Sequence, residues 1–362
     1  MKIIQVCPKY FPDIGGVEIH VKLISEELAK RGFDVEVVCT DPRGTYPKEE
    51  EIHSVKIRRF RAIAPNESYF FAPQISNYIK NTSCDVIHVH NYHALPALFS
   101  AFAKRNRKFI FTPHTFGFGK IEFSRRFLLT FYKPLGRYVF NKSDLIISIS
   151  KIERKFIETN FGSYEKIYYI PSPIKIEKVN RNRCNNETIN IVYVGRLSKE
   201  KNVDVLIRSF KRVKQIYPMS RLYILGSGPL EQYVRNLIKV EEGIFLLGRL
   251  THEKVMKFLD TADLFVLPSK FEVLPLSILE AMSKQVPVIV TPVGELPHIL
   301  RHKKTCLFVK INDYKDLANK IINIIENKNL AKKLAKNARK YVEKNHDITK
   351  IINKYIKIYE EI

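Results

Sequence analysis

The chain has 362 residues, of which 45% are hydrophobic, and 61 basic residues against 37 acidic ones give a net charge of +24. This length exceeds what one hydrophobic core usually fills, so two domains are expected. No uninterrupted apolar run approaches the roughly 18 to 20 residues of a membrane span. Because residues 1–8 read as a first strand and not as a signal peptide, the expected location is the cytoplasm.

The positive charge admits three explanations: nucleic-acid binding, peripheral docking on the cytoplasmic face of an anionic membrane, or a lysine-rich composition bias. Lysines are spread through the whole chain, and isoleucine and asparagine are abundant as well. Composition bias is therefore favoured, membrane docking comes second, and no nucleic-acid partner is expected. Free thiols are expected because no cysteines lie at metal-ligand or redox spacing: Cys7, Cys39, Cys84, Cys184 and Cys306.

Short apolar runs alternate with helical patterns along the chain, which is typical of an α/β fold. In the first half the predicted strands are 2–6, 35–39, 55–59, 86–89, 108–111, 145–148 and 167–170. The predicted helices there are 17–30, 73–81, 94–104 and 151–160. A polar stretch, 175–188, is the predicted linker. The second series has predicted strands 189–194, 222–225, 245–247, 264–267 and 307–309 and predicted helices 203–217, 330–344 and 348–361.

Gly15 and Gly16 lie between the first predicted strand and helix, where backbone amides at a helix start can hold an anion. A glycine pair alone is weak evidence. Glu18 and His20 follow closely and complete the motif Gly-Gly-Val-Glu-x-His.

Histidines follow two neighbouring predicted strands. His88 and His90 share one strand face, and His93 lies close by in sequence. Without a carboxylate or cysteine to complete the set, a metal site there is disfavoured. His114 is the last residue of the motif Thr-Pro-His, which follows the next predicted strand. Both a structural role and an active-site role stay open for it.

Residues 118–142 alternate aromatic and basic side chains. One interpretation is an interfacial helix on a lipid surface. The other is a helix with an aromatic core stripe and a solvated basic face. The residues that carry both interpretations are Phe123, Arg125, Arg126, Phe127, Phe131, Tyr132, Lys133, Arg137, Tyr138, Phe140 and Lys142.

Two glycine motifs in the second half match common nucleotide-binding motifs only in part. Gly226 and Gly228 match a dinucleotide fingerprint only in part, because Glu231 replaces its third glycine, so NAD binding is rejected. Gly243 and Gly248 have P-loop spacing, but Arg249-Leu250 replaces Lys-Ser/Thr and no helix is predicted there. ATP binding through a P-loop is therefore not expected.

The most informative stretch is 262–291, a short buried strand, a loop with Glu272, a helix starting near Pro275 and a following strand. Glu280 lies about one turn into that helix. Each acid also has an explanation that involves no ligand. Glu280 would oppose the positive end of the helix dipole, and Glu272 would be a solvated loop residue. Together they face the carboxyl end of a sheet strand, where open α/β sheets bind ligands.

This segment resembles the Glu-x7-Glu signature of retaining, GT-B glycosyltransferases of family 4, the glycosyltransferase group 1 type. The flanking text is similar too: Ala-Asp before the strand, Pro-Ser after it, Glu-Ala-Met closing the motif and Pro-Val-Ile in the next strand. Further segments that resemble the family are 15–20, 112–114, 195–202 and 248–250.

The resemblance implies two Rossmann-like α/β domains facing across a cleft. Residues 1–173, joined by a C-terminal helix at 347–362, would form the acceptor-side domain. Residues 174–346 would bind the nucleotide sugar. The implied reaction moves a hexose-type sugar, with retention, from a UDP- or GDP-sugar to a glycan, a lipid-linked acceptor or a small sugar.

The resemblance also implies roles for single residues. Arg196 and Lys201 would neutralise the leaving diphosphate, with help from the helix-start amides of Leu276 and Ser277. Glu280 would accept hydrogen bonds from the ribose. The transferred sugar would contact Glu272 and His114, and the nucleobase would contact Arg249 and Leu250. Gly15, Gly16 and Gly226 would also contact the donor.

The sequence has no Asp-x-Asp triplet to hold a metal, so no cofactor is expected. Arg196 and Lys201 would neutralise the diphosphate in place of a metal ion. Two departures from the family pattern leave detail open. Pro275 stands where the family usually has glycine and removes one amide, and Ser172-Pro173 replaces Asn-Gly at the interdomain turn. Two rival functions stay open: a GT-B sugar-nucleotide epimerase or hydrolase, and a basic nucleic-acid-binding protein.

Overall fold

The structure is a computed structural model that describes residues 1–13, 15–65, 69–115, 123–162, 165–179 and 188–361, without the side chains of 123–131. It divides into two compact units. The first contains Met1–Lys175 and Asp347–Ile362, and the second contains Ile176–His346. Both consist of a largely parallel sheet with helices, which confirms the predicted α/β class.

The first unit has an eight-stranded sheet in the order β3-β4-β2-β1-β5-β6-β7-β8. Its strands are β1 (Lys2–Val6), β2 (Asp34–Thr40), β3 (Glu49–Ile52), β4 (Val55–Phe60), β5 (Val86–His90), β6 (Lys108–Thr112), β7 (Leu145–Ser148) and β8 (Ile167–Tyr169). Its helices are α1 (Gly16–Lys30), α2 (Gln74–Asn81), α3 (Leu95–Ala103), α4 (Phe123–Lys142), α5 (Lys151–Phe161) and, from the end of the chain, α13 (Ile348–Glu361).

Among the described residues of this unit, two apolar clusters pack against the sheet. One joins β1 and β2 to α1 and α13, with Val21 and Ile352 among its fully buried members. The other joins the same strands to α2 through α5, with Ile87 and Phe109 fully buried. Successive side chains of a strand point to opposite faces, so the two clusters cover the two faces of one sheet.

The second unit has a six-stranded sheet in the order β11-β10-β9-β12-β13-β14. Its strands are β9 (Ile189–Val194), β10 (Ser220–Leu225), β11 (Ile244–Gly248), β12 (Leu264–Leu267), β13 (Val288–Val290) and β14 (Leu307–Phe308). Its helices are α6 (Val203–Ile216), α7 (Glu231–Ile238), α8 (His252–Thr261), α9 (Leu276–Ser283), α10 (Leu296–Ile299), α11 (Tyr314–Glu326) and α12 (Lys328–Asn345).

The prediction that no helix begins after Gly248 was wrong. α8 starts at His252, and the hydroxyl of its N-cap, Thr251, accepts from the Lys254 amide at 3.4 Å. The P-loop remains excluded because Arg249 and Leu250 still replace its lysine and hydroxyl residue. β3, which pairs antiparallel with β4, was not predicted because its sequence has no apolar pattern.

Among the described residues, no helix is both long and apolar enough to cross a membrane. In α4, Tyr132 and Phe140 are buried in the core, while Leu135 is exposed. This half of α4 therefore fits the core-stripe interpretation, and the side chains of Phe123, Arg125, Arg126, Phe127 and Phe131 lie outside the described residues. Four cysteines are free thiols, as expected, and Cys184 lies outside the described residues.

Candidate active site

In the first unit a group of imidazoles lies at the carboxyl edge of the sheet. Chain order reverses between β1 and β5, which is the switch point where doubly wound sheets bind ligands. β5 carries His88 and His90, and His114 follows β6 directly. His20, from α1, completes the group, and its ring centroid lies 4.7 Å from that of His114.

A chain of hydrogen bonds fixes the protons on these rings. The Gln5 carboxamide oxygen can only accept, so the His90 Nε2 at 2.7 Å from it carries the hydrogen. The neutral His90 ring then has its lone pair on Nδ1, and the His114 Nε2 at 3.1 Å must donate to it. His114 is left with its lone pair on Nδ1.

The same glutamine orders a second branch. Its amide nitrogen donates to the Tyr359 hydroxyl at 3.1 Å, and that hydroxyl contacts the His88 Nδ1 at 2.7 Å. The His88 Nε2 in turn lies 2.8 Å from the Thr112 hydroxyl. Both nitrogens of His88 therefore have partners, and Gln5 is the residue that the two branches share.

Burial keeps these rings uncharged. It lowers the pKa of His20 to about 3, and it holds the pKa values of His88, His90 and His114 well below their usual range. Their proximity adds to the effect, because each charged imidazole would repel its neighbours. His114 is partly exposed, whereas the other three rings are buried.

The backbone holds His114 in a strained conformation. Its φ is 50°, in the left-handed region that a side chain rarely adopts. The next residue anchors this turn, because the Thr115 amide donates to Oε1 of Glu153 at 2.6 Å. The other oxygen of that fully buried carboxylate accepts from the Ile149 amide at 2.7 Å. The sequence analysis did not single out Glu153.

Gly15 and Gly16 open α1 as predicted, but the helix start faces the protein's own acid. A Cβ at Gly15 would lie 2.3 Å from a carboxylate oxygen of Glu18, in the first turn of the helix. Glu18 therefore lies beside Gly15, in the region where the sequence analysis placed a donor phosphate.

In the second unit, the sheet reverses order between β9 and β12, and the loops after these strands carry the predicted cation and acid. The Lys201 ammonium lies 2.6 and 2.7 Å from the two oxygens of Glu272. The Ser269 hydroxyl donates to the same carboxylate at 2.6 Å. Glu272 is only 6% exposed, and a carboxylate this buried needs such partners.

Close packing of backbones explains several glycines here. A Cβ at Gly226 would lie 1.9 Å from the carbonyl oxygen of Gly195, and one at Gly294 would lie 1.8 Å from the carbonyl oxygen of Glu272. The Leu197 amide donates to the Ser227 carbonyl at 3.0 Å, and the Gly226 amide donates to the Gly248 carbonyl at 2.8 Å. The loops after β9, β10 and β11 are thus joined, and Gly226 has a structural role whether or not it contacts a ligand.

Asn202 anchors the end of the loop that carries Lys201. Its φ is 59°, and its buried side-chain nitrogen donates to the Pro268 carbonyl at 3.1 Å and to the Asn312 side chain at 3.2 Å. A further bond joins the same loops, since the Lys270 amide donates to the Glu200 carbonyl at 2.7 Å. Arg196, earlier in the loop, is exposed to solvent.

Glu280 is also buried, at 6% exposure, and pairs with a residue that the sequence did not reveal. The His252 Nε2 from the start of α8 lies 2.8 Å from its carboxylate. Leu276 and Ser277 are the first residues of α9, so their amides have no acceptor within the helix. The exposed Arg249 and half-buried Leu250 lie just before Thr251, the N-cap of α8.

Comparisons with known proteins agree with this geometry. Residues 14–178 match the Glycosyltransferase Family 4 family, and residues 175–341 match the family of Glycosyl transferases group 1. The two doubly wound units have the GT-B fold of the similar solved structures, and the two family matches together make the chain a glycosyltransferase. The chain belongs to family 4, group 1 type, and its activity is glycosyl transfer from a nucleotide sugar.

Several distant relatives match over nearly the whole length of both chains. The chain is 29% identical to the uncharacterized glycosyltransferase MJ1178 of Methanocaldococcus jannaschii, covering 98% of this chain and 96% of the relative. It is 22% identical to N-acetyl-alpha-D-glucosaminyl L-malate synthase of Bacillus anthracis, covering 97% and 95%. A solved structure of Anabaena Alr3699/HepE in complex with UDP and glucose superposes with a TM-score of 0.79 at 17% identity, covering all of both chains.

Proposed function

We propose that this enzyme moves a hexose-type sugar, with retention of configuration, from a UDP- or GDP-sugar to a glycan, lipid-linked or small sugar acceptor. The observation that carries the proposal is the ion pair of Lys201 with Glu272 at the switch point of the second unit. The exposed Arg196 lies in the same loop as Lys201. At one point, the cation can bind the phosphate of a sugar phosphate and the acid can accept hydrogen bonds from the sugar hydroxyls.

The leaving diphosphate gains negative charge as the glycosidic bond breaks. Arg196 is free to approach it because the guanidinium is exposed, and the first amides of α9, at Leu276 and Ser277, add partial positive charge. Lys201 supplies a second cation when it shares its three donors between Glu272 and a phosphate oxygen. These groups offset the charge without a divalent cation at the diphosphate.

The two acids have different tasks in this proposal. Glu272 is held by Lys201 and Ser269, which orients its oxygens to accept from sugar hydroxyls. Glu280 accepts from the ribose hydroxyls, and His252 keeps its carboxylate in place. Neither needs a proton transfer, so both act by positioning the donor.

His114 acts on the transferred sugar. Its Nε2 hydrogen is committed to His90, so the lone pair on Nδ1 is the group that accepts from a sugar hydroxyl. A neutral imidazole suits this role because a charged one would repel the electron-poor anomeric carbon. The low pKa of His114 keeps the ring neutral at physiological pH.

Retention follows from attack on the same face as the departing phosphate. A double displacement would need a carboxylate nucleophile, and the buried acid next to the His114 turn does not suit that role. Both oxygens of Glu153 accept from backbone amides, and its side chain is fully buried. The phosphate oxygen itself then assists the incoming acceptor hydroxyl.

The first test is a thermal-shift panel of UDP- and GDP-sugars, repeated with a chelator. A donor at a hundred times its Kd stabilises the protein by about 2.7 kcal/mol. We expect one UDP-sugar to raise Tm with and without chelator, since the similar Anabaena structure holds UDP. Absence of any shift with both nucleotide classes would contradict the proposal.

The second step of this test separates the rival chemistry. The stabilising donor is incubated with and without simple sugar and lipid-linked acceptors, and the products are examined by NMR. Acceptor-dependent product with the donor's anomeric configuration is expected. Free sugar or an epimerised nucleotide sugar without any acceptor would instead identify a hydrolase or epimerase.

A further inference from the structure

The imidazole group of the first unit has the composition of a transition-metal site. One ring nitrogen from each of His20, His90 and His114 lies within 4.8 Å of the other two. The sequence pattern indicated a different set, His88, His90 and His93, without His20 and His114. The structure thus replaces that candidate set with one drawn from α1, β5 and the loop after β6.

The spacing is close to what a small cation requires. Two nitrogens bound tetrahedrally to zinc at ordinary bond lengths lie about 3.3 Å apart. The His90 Nδ1 and the His114 Nε2 are already 3.1 Å apart. The His20 ring must then move closer by a small side-chain rotation. Its Nδ1 is buried and has no hydrogen-bond partner, so a bond to the metal would satisfy it.

The surroundings supply the outer contacts that metal-bound histidines use. A ligating ring almost always donates its other N–H to a carbonyl or carboxylate, and the His90 Nε2 does so to Gln5 at 2.7 Å. The His20 Nε2 lies 3.3 Å from the Tyr355 hydroxyl. His88 is excluded as a ligand because Tyr359 and Thr112 occupy both of its nitrogens.

We propose that His20, His90 and His114 form a binding site for a divalent transition cation that prefers imidazole, with Zn²⁺ and Co²⁺ as the clearest examples. Three neutral nitrogens leave a fourth position for water or a hydroxyl. The ion replaces the hydrogen bond between His90 and His114 with two metal–nitrogen bonds.

The proton balance makes this ion an inhibitor. The hydrogen on the His114 Nε2 has to leave for the metal to bind there, and the ring stays neutral if that proton moves to Nδ1. His114 then presents an N–H where transfer requires a lone pair. The inhibition rests on the proposed role of His114, whereas the binding itself does not.

The test of binding uses the full chain, freed of metal with a chelator and titrated with Co²⁺. Tetrahedral Co²⁺ with three imidazoles gives a strong visible absorption band, so binding is observed without activity. We expect one equivalent of Co²⁺, displaced by Zn²⁺. His20→Ala and His114→Ala should each weaken Co²⁺ binding at least tenfold, while His298→Ala, an exposed histidine of α10, should not change it.

Folding of the variants is checked by Tm, and the partly exposed His114 makes His114→Ala the variant expected to fold normally. Unchanged Co²⁺ absorption in the folded His114→Ala protein, or loss of the band only in His298→Ala, would overturn the site. Adding one equivalent of Zn²⁺ to the transferase assay should slow transfer and a chelator should restore it. Transfer unaffected by bound Zn²⁺ would overturn the inhibition, and absent transfer without metal would instead count against the proposed function.

Discussion

The two units of this protein place very different chemistry at equivalent positions of the same architecture. At the switch point of the first unit lie uncharged imidazoles that hydrogen-bond to one another and to Gln5. At the switch point of the second lies an ion pair, Lys201 with Glu272. A doubly wound sheet therefore fixes where a site lies, and the side chains at the strand ends fix its electrostatics.

The difference suits different chemical groups. Charged partners stabilise a diphosphate, because attraction between charges is strong where water is partly excluded. Neutral hydrogen-bonding groups suit sugar hydroxyls and an electron-poor carbon, which a charged imidazole would destabilise. Three predictions test whether the two sites differ in this way.

Acid should destabilise the first unit before the second. His20, His88 and His90 have lowered pKa values when folded, so the unfolded chain takes up protons as pH falls below about 6.5 while the folded chain does not. Stability is therefore full above pH 6.5 and is lost below it. Between pH 7.5 and 5.5 each ring lowers the free energy of unfolding by an amount on the order of 1 kcal/mol.

This acid effect is measured with chelator present, as Tm against pH, together with limited proteolysis read by mass spectrometry. Cleavage sites at pH 5.5 should appear first within residues 1–175. Equal Tm at the two pH values, or first cleavage within residues 176–346, would show that the imidazoles are not held neutral by the fold.

Arg196→Ala should lower kcat/KM about a hundredfold or more, equivalent to about 3 kcal/mol of lost transition-state stabilisation. In the proposed mechanism the guanidinium offsets the charge that develops on the leaving diphosphate. Steady-state kinetics with the best donor measures it. Arg212→Ala, an exposed arginine of α6, is the control and should behave like the natural protein. Equal rates in both variants would remove Arg196 from the site.

Gln5→Leu should lower kcat about tenfold and leave the donor KM nearly unchanged, since one oriented hydrogen bond contributes about 1 to 1.5 kcal/mol. Gln5 is a positioning residue, because its carbonyl selects the His90 tautomer that in turn selects the His114 tautomer. Tyr359→Phe is the matched control, since it breaks only the branch through His88. If both variants lose the same fraction of kcat, the effect is loss of packing and not of tautomer control.

Much of the second site was readable from the sequence. Through the family resemblance, the Glu-x7-Glu spacing and the Gly-Arg-Leu motif predicted that Glu272, Glu280, Arg196 and Lys201 belong to one nucleotide-binding region. The pairing of Lys201 with Glu272 was not readable, because the two residues lie 71 positions apart and no periodicity connects them. His252 was missed for a similar reason, as the helix that carries it was not predicted.

The first site was readable only in part. His114 and the face shared by His88 and His90 followed from strand ends and alternation. Gln5 and Tyr359 gave no signal, since a glutamine in a strand and a tyrosine in a helix are usually structural. A hydrogen bond joins the two across 354 residues, and they contact His90 and His88 respectively.

The sequence by itself determined the α/β class, most element positions and the family, because apolar periodicity and short motifs are local properties of the chain. The tertiary structure decided which charges pair, which glycines serve close backbone packing, and which imidazole nitrogens carry protons. Those properties depend on contacts between distant segments, and such contacts exist only once sheet order has brought β1, β5 and β6, or β9 and β12, side by side.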